Sequence, residues 1–277
     1  MIVPGSASQS LAAALSAELG EPLSAVEYDR FADGELLVRI PETDNRAVVV
    51  ASTLSSDAHV ELLQLQDAAR QQADEVITVI PYMGYGRQDK AFESGQPISA
   101  RAMAKAISTG TDRILTVSPH EKAVCEFFDV PCEFVEAAPQ LAEPLPALES
   151  PLFLAPDASA LDMAASVRDA YGAGETDYFE KRRLSDTEVE IRPKDAETSG
   201  RDVVLVDDIV ATGSTMSTAI SQLDVPARVF VACVHPMLAA SARTKLANAG
   251  VEAVYGTDTI ERAVSAVSVA PLLADRL

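Results

Sequence analysis

The sequence predicts an α/β protein of two domains, each a mainly parallel sheet flanked by helices. Three observations predict it. Short β-branched apolar runs alternate with amphipathic stretches, which is the rhythm of βα units. Proline and acidic residues gather between Pro139 and Pro151, as in a domain connection. A chain of 277 residues with 48% hydrophobic content has material for two buried cores.

Strands are expected at Ala47–Ala51, Val76–Pro81, Ile114–Val117, Leu152–Ala155, Val203–Val206, Val229–Val234 and Ala253–Tyr255. Between them helices are expected at Asp57–Gln72, Ile98–Thr109, Glu121–Phe128, Ala158–Tyr171, Ser214–Leu223 and Met237–Asn248. The helix from Ile98 places Ile98, Ala102, Met103, Ala106 and Ile107 on one face and stops before Gly110. The domains are drawn at 1–140 and 141–277. The region from Gly172 to Gly200 is polar and charged, too long for a passive connection, and is read as an irregular, mobile functional loop.

Composition narrows the function. A formal charge of -20 and a pI near 4.4 argue against a nucleic-acid surface, which needs clustered positive charge. Such acidity suits solvation at high salt, and an ordinary acidic cytosolic protein shares it. No apolar run reaches the ~20 residues of a membrane helix, and Met1 to Ser6 carries no basic start or apolar signal core, so a cytoplasmic protein without membrane partners is expected. Cys125, Cys132 and Cys233 lack the doubled C-x-x-C spacing of a zinc site and are read as small buried hydrophobes.

The sharpest chemical signal is Val203-Val204-Leu205-Val206-Asp207-Asp208-Ile209-Val210-Ala211-Thr212-Gly213-Ser214-Thr215. An apolar strand delivers two carboxylates at its carboxyl end, and a Gly/Ser/Thr turn then opens a helix. Open α/β sheets bind ligands at that edge, where free amides and hydroxyls suit a phosphate. Adjacent aspartates can accept hydrogen bonds from vicinal ribose hydroxyls, directly or through a metal. An Asp-rich turn with a helix cap would explain Ser214 or Thr215 alone, but not the whole ordered set.

Two further segments lie in the first half. Arg30-Phe31-Ala32-Asp33-Gly34-Glu35 sets an aromatic ring beside two carboxylates, able to stack on a purine and accept from its exocyclic amine, although the same letters describe a plain β-turn. Pro81-Tyr82-Met83-Gly84-Tyr85-Gly86-Arg87-Gln88-Asp89-Lys90 follows a strong strand, and its glycines let a cation approach polyphosphate.

The segment from Val203 resembles the phosphate loop of the phosphoribosyltransferase fold. Together the three segments resemble ribose-phosphate diphosphokinases, which carry R-F-x-D-G-E, then Y-x-G-Y-x-R-Q-D continuing to P-I-S-A, then V-D-D-x-x-x-T-G-x-T; Pro97-Ile98-Ser99-Ala100 completes the match. The resemblance implies two phosphoribosyltransferase-like domains with the active site between them. It implies that Phe31, Asp33, Gly34 and Glu35 contact adenine and that Arg87, Gln88 and Asp89 serve ATP. Asp207, Asp208, Ala211, Thr212, Gly213, Ser214 and Thr215 would hold ribose 5-phosphate.

It also implies magnesium held by His120, in Ser118-Pro119-His120-Glu121, and by Asp157, in Leu154-Ala155-Pro156-Asp157. By itself a strand-end histidine is more often a hydrogen-bonded structural residue, and imidazole is an unusual donor for hard Mg2+. Phe179-Glu180-Lys181-Arg182-Arg183 resembles the family's K-R-R catalytic loop, making Lys181 and Arg183 the catalytic cations, with Arg183 also on ribose 5-phosphate; by itself it is a solvated basic patch.

The sequence departs from the family pattern at Ala211, Ser214, Ser118 and Ala158–Ala160, positions that bear on sugar contacts, one metal ligand and regulation by phosphate. The departures look more like an archaeal branch. The implied partners are ATP, ribose 5-phosphate and a second copy in a homo-oligomer that is at least a dimer. A phosphoribosyltransferase and a non-catalytic regulatory homologue are the alternatives. No G-x-x-x-x-G-K-[ST] or G-x-S-x-G occurs to suggest a P-loop kinase or a serine hydrolase.

Overall fold

The computed structural model describes residues 1–183 and 189–277, with the side chains of 181–191 outside the described residues. Met1–Glu136, Asp258–Glu261 and Ser268–Leu277 form one compact unit, and Ala137–Thr257 with Arg262–Val267 form another. The chain thus passes from the first unit to the second at 136/137 rather than 140/141, and its last segment returns to the first. No described helix is long and apolar enough to cross a membrane.

The first unit holds a five-stranded sheet of β1 (Ile2–Pro4), β4 (Arg46–Val50), β5 (Glu75–Ile80), β6 (Arg113–Val117) and β7 (Cys132–Val135), in that order. Every pairing is parallel. Ala47 to Val50 are all fully buried, as expected of a strand covered on both faces. A separate antiparallel hairpin joins β2 (Glu27–Arg30) to β3 (Leu36–Arg39).

Three of this unit's helices shape the site or its surroundings: α1 (Gln9–Leu19), α2 (Ser56–Arg70) and α3 (Ser99–Ser108). Helix α2 starts where the Ser55 side chain accepts from the Ala58 amide at 3.2 Å, and Asp57 and Arg70 complement its dipole at opposite ends. Its Leu62, Leu65 and Ala69 recur at helical spacing and are fully buried, each leucine contributing about 1.5–3 kcal/mol by leaving water.

In the second unit, β8 (Leu152–Ala155), β9 (Glu175–Arg183), β10 (Val189–Pro193), β11 (Asp202–Ile209), β12 (Arg228–His235), β13 (Ala253–Thr257) and β14 (Ser265–Val267) form a seven-stranded sheet. Its order is β10-β9-β8-β11-β12-β13-β14, and only β9 with β10 is antiparallel. Helices α4 (Leu161–Tyr171), α5 (Ser214–Ile220) and α6 (Ala242–Asn248) belong to this unit, while α7 (Ala270–Ala274) packs with α1 in the first.

Three expectations are corrected. The region from Gly172 to Gly200 is not irregular: it carries β9 and β10, with Asp177 and Phe179 buried at strand period while charges from Glu180 onward mask that alternation in the sequence. Glu121–Phe128 holds a 3₁₀ helix at Lys122–Phe127 instead of an α-helix. The expected helix from Met237 begins only at Ala242, because Leu238 and Ala240 adopt φ of 45° and 52°. That departure lets the amides of Leu238 and Ala239 donate to the carbonyls of Val210 and Ala211 at 2.9 and 2.8 Å.

Candidate functional site

In the second unit the site is built on the carboxyl edge of the sheet. Central strand β11 is registered so that Leu205 pairs with Leu154 of β8, which sets Asp207 two residues further along, beside the Pro156-Asp157 turn. Burial and the negative Asp208 next to it push the Asp207 carboxyl up to about 8, with Asp157 adding in the same direction. Three carboxylates therefore share one edge. The Asp157 side chain also accepts from the Ser159 amide at 2.9 Å, capping the short helical turn that follows.

The Ala211–Ser214 turn is shaped by Gly213, whose φ is 71°. A side chain there would sit 3.1 Å from the Ala242 carbonyl oxygen. The amides of Leu238 and Ala239 hold the turn from outside, and Lys245 of α6 reaches the Ser214 hydroxyl with its ammonium at 2.8 Å. Lys245 was missed by sequence reasoning. Its signal would have been a cation on the helix after the neighbouring strand, visible only once β11 and β12 are paired.

Strand β9 runs parallel to β8 with Tyr178 opposite Ala155, then continues to Arg183. At ~3.3 Å per residue its backbone carries Lys181 about 10 Å past the end of β8, on the side where Asp157 stands. Lys181 pairs with Ile191 and Arg183 with Val189 in the β9–β10 register. The side chains of Lys181 and Arg183 lie outside the described residues.

In the first unit the edge residues come from the hairpin and the segments after β5 and β6. At the tip of β2–β3, Gly34 takes φ 92°, the Phe31 amide donates to the Glu35 carbonyl at 2.9 Å, and the Asp33 carboxylate accepts from the Glu35 amide at 3.2 Å. This is a built turn, and it leaves the Phe31 ring 54% exposed. Arg30 braces it, donating to the Gly34 carbonyl at 2.8 Å and to the Asp57 carboxylate at 2.6 Å.

After β5, the Gly84 amide donates to the Thr53 hydroxyl at 2.8 Å, in a space so tight that a Cβ would stand 2.0 Å from the Thr53 carbonyl oxygen. Tyr85 takes φ 62°, and its hydroxyl lies 3.1 Å from that of Ser56. The first turn of α2 thus contacts both segments, Asp57 through Arg30 and Ser56 through Tyr85. Asp57 and Ser56 were not singled out from sequence; the Ser55-Ser56-Asp57 helix start was the available trace.

Gln88 has a structural task. The Ser99 hydroxyl donates to its side-chain oxygen at 2.5 Å, and the Ala100 amide donates to its carbonyl at 3.2 Å. The R-Q-D and P-I-S-A segments are therefore one unit, joined across the entry to α3, with Arg87 exposed beside them. After β6, Ser118 takes φ 35° with its amide bonded to the Val135 carbonyl at 2.9 Å, and His120 is exposed at the carboxyl edge. Among the described residues no group of three or more His, Cys, Asp and Glu side chains is arranged to hold a metal.

The family description that matches is the N-terminal domain of ribose phosphate pyrophosphokinase, over residues 1–110. The chain is 66% identical to the ribose-phosphate pyrophosphokinase of Halobacterium salinarum over the whole of both chains. It is 43% identical to that of Methanosarcina mazei, covering 100% of this chain and 94% of the relative. Among solved structures, phosphoribosylpyrophosphate synthetase from Mycobacterium smegmatis superposes with a TM-score of 0.83 at 27% identity, covering 100% of this chain and 96% of that one. The phosphoribosyltransferase-like α/β fold is thereby shown for both units. Identity of 66% from end to end, on a fold that places two of the motif segments at the carboxyl ends of parallel strands and the third at the tip of the β2–β3 hairpin, means that the chain belongs to the ribose-phosphate pyrophosphokinase family and is an enzyme of that type.

Proposed function

We propose that the enzyme joins O1 of ribose 5-phosphate to the β-phosphorus of ATP, releasing AMP and forming phosphoribosyl diphosphate. The observation that carries the acceptor half is the Asp207-Asp208 pair at the end of central strand β11, leading into a hydroxyl-rich turn braced by Leu238 and Ala239. Adjacent carboxylates accept from the two vicinal ribose hydroxyls, and the Thr212, Ser214 and Thr215 hydroxyls donate to the 5-phosphate. That arrangement fixes the anomeric oxygen. On the donor side Phe31 stacks on adenine, Asp33 and Glu35 flank it, and Arg87 and Asp89 face the polyphosphate while Gln88 holds their backbone in place.

The O1 hydroxyl attacks in line, its oxygen bonding to the β-phosphorus as the bond to the α–β bridging oxygen breaks; the O1 proton is lost and AMP leaves. Lys181 and Arg183 stabilise charge on the transferred group, and positioning supplies much of the rest. Asp157 offers an oxygen donor that suits hard Mg2+, and His120 a nitrogen that suits it less. The raised Asp207 carboxyl marks unrelieved negative charge that a cation would offset, so the donor set fits. Asp157 and His120 would hold the ion, which when bound would supply positive charge to the phosphate oxygens of the substrates.

A homo-oligomer, at least a dimer, in the cytoplasm completes the proposal. Phe31, Leu37, Val60 and Tyr85 are 54, 42, 47 and 45% exposed around the hairpin and the start of α2, an apolar surface that supports a subunit contact there. Incubation with ATP, ribose 5-phosphate and Mg2+ should yield AMP with a ribose diphosphate, and ADP in its place would refute diphosphoryl transfer. Sedimentation of a fully active monomer would remove the subunit contact.

A further inference from the structure

Cys125 and Cys132 are not the buried hydrophobes expected from the sequence. Cys125 lies on the 3₁₀ turn Lys122–Phe127 and Cys132 opens β7, and their sulfurs are 2.9 Å apart, with the Cys132 thiol donating. Both are half-buried, whereas Cys233 is wholly buried on β12. The two sulfurs are held together by their surroundings: Val124 and Phe128 are buried on either side of Cys125, and β7 is paired with β6. The Asp129 amide donates to the Ser108 hydroxyl at 3.0 Å, fixing the turn between the two cysteines.

We propose that Cys125 and Cys132 are a redox modification site that closes reversibly to an intramolecular disulfide in the presence of a hydroperoxide. The Cys125 thiolate attacks one peroxide oxygen; an S–O bond forms, the O–O bond breaks and an alcohol or water leaves with a proton. The Cys132 sulfur then attacks the Cys125 sulfenic acid, the S–S bond forms, and hydroxide leaves with the thiol proton as water. Two thiols and one hydroperoxide thus give one disulfide, one alcohol or water and one further water, with two electrons passing from sulfur to the peroxide. A small dithiol reverses the step by exchange. The donated S–H lowers the Cys125 pKa while raising that of Cys132, which suits attacking and resolving roles respectively. The closed bond would tie the turn after His120 to the sheet through a short ring, independently of the substrate sites.

The full-length protein is to be treated with hydrogen peroxide and analysed by mass spectrometry without reduction. The expected result is the loss of two hydrogen masses, with the fragments cut at Glu126 remaining joined until a dithiol is added. Cys233→Ser should behave like wild type. Cys132→Ser should stop at a Cys125 sulfenic acid that a diketone reagent traps. The oxidised protein should melt a few degrees higher, because closing the ring restricts the unfolded chain. Two free thiols after peroxide treatment, or sulfinic acid at Cys125 of the wild type, would overturn the proposal. A joined pair with a lower melting temperature would refute the claim that the fold holds the sulfurs ready.

Discussion

Replacing Gly84 with alanine tests whether the segment after β5 is positioned as tightly as its geometry requires. The added carbon would lie 2.0 Å from the Thr53 carbonyl oxygen, and real contacts of this kind essentially never fall below 3.0 Å. The loop must therefore retreat by 3.0 − 2.0, or about 1 Å. Two hydrogen bonds span the same gap, from the Thr53 amide to the Tyr82 carbonyl at 2.9 Å and from the Gly84 amide to the Thr53 hydroxyl at 2.8 Å. Such a shift stretches both out of bonding range. Overpacking costs about 1–3 kcal/mol, and each weakened bond adds roughly 0.5–1.5 kcal/mol. These sum to about 2–6 kcal/mol, so at about 2–4 °C per kcal/mol calorimetry should show melting lowered by roughly 4–24 °C. Arg87 and Asp89 move with the loop, and a 1 Å misplacement typically costs ~100-fold, so kcat/KM for ATP in an AMP-release assay should fall to about a hundredth. Gly86→Ala is the control, since its carbon would meet the Met83 carbonyl at 3.1 Å, a clash that small adjustments relieve. Normal melting together with normal kcat/KM for Gly84→Ala would show that the close approach does not set the position of the loop.

Three other outcomes are expected. Lys181→Ala should lower kcat roughly 100- to 1000-fold while leaving KM and melting nearly unchanged, because a cation aimed at developing charge acts mainly in the transition state; steady-state kinetics showing near-normal kcat would return the basic triplet to a solvated patch. Asp207, raised from 3.8 to about 8, binds its proton more tightly folded than unfolded, so its contribution to stability is complete below pH 4 and is lost as pH rises through 8. With a chelator present, melting should decline across that window, and Asp207→Asn should flatten the decline; an equal slope in both proteins would place the titration elsewhere. Lowering ionic strength extends the screening length from ~10 Å at 0.1 M to ~30 Å at 0.01 M, so a chain of charge -20 should melt at lower temperature in dilute buffer, and a rise would contradict self-repulsion.

The central strands were legible because burial on both faces writes a continuous apolar run, as in Val203–Val206, and the carboxylates at the end of that run were legible as its polar edge. Strands of three or four residues such as β1, β3 and β14 carry too few positions for a period to show. Strand β9 was hidden by its charges: Glu180 to Arg183 interrupt its alternation, so the segment read as a loop. The edge after β5 was legible as a motif, but not the reason for it, because the Gln88–Ser99 bond and the Thr53–Gly84 approach join positions that only packing brings together. Likewise the cysteines gave no pairing signal, since their relation depends on a turn that the sequence suggested was α-helical.

The first unit is discontinuous in the chain. Segment Ser268–Leu277 lays α7 against α1, Arg46 donates to the Leu277 carbonyl at 2.9 Å, and the Glu261 carboxylate accepts from the Ser10 and Leu11 amides at the entry to α1. During synthesis, therefore, the strands of that unit emerge well before the pieces that close it. About 120 residues separate Glu136 from Asp258, which at about 5–20 residues per second is a delay of roughly 6–24 s. Through that interval α1 waits without the partner that covers one of its faces and without the carboxylate that satisfies its leading amides, so the nascent protein carries its half-finished domain while the whole of the next one is made.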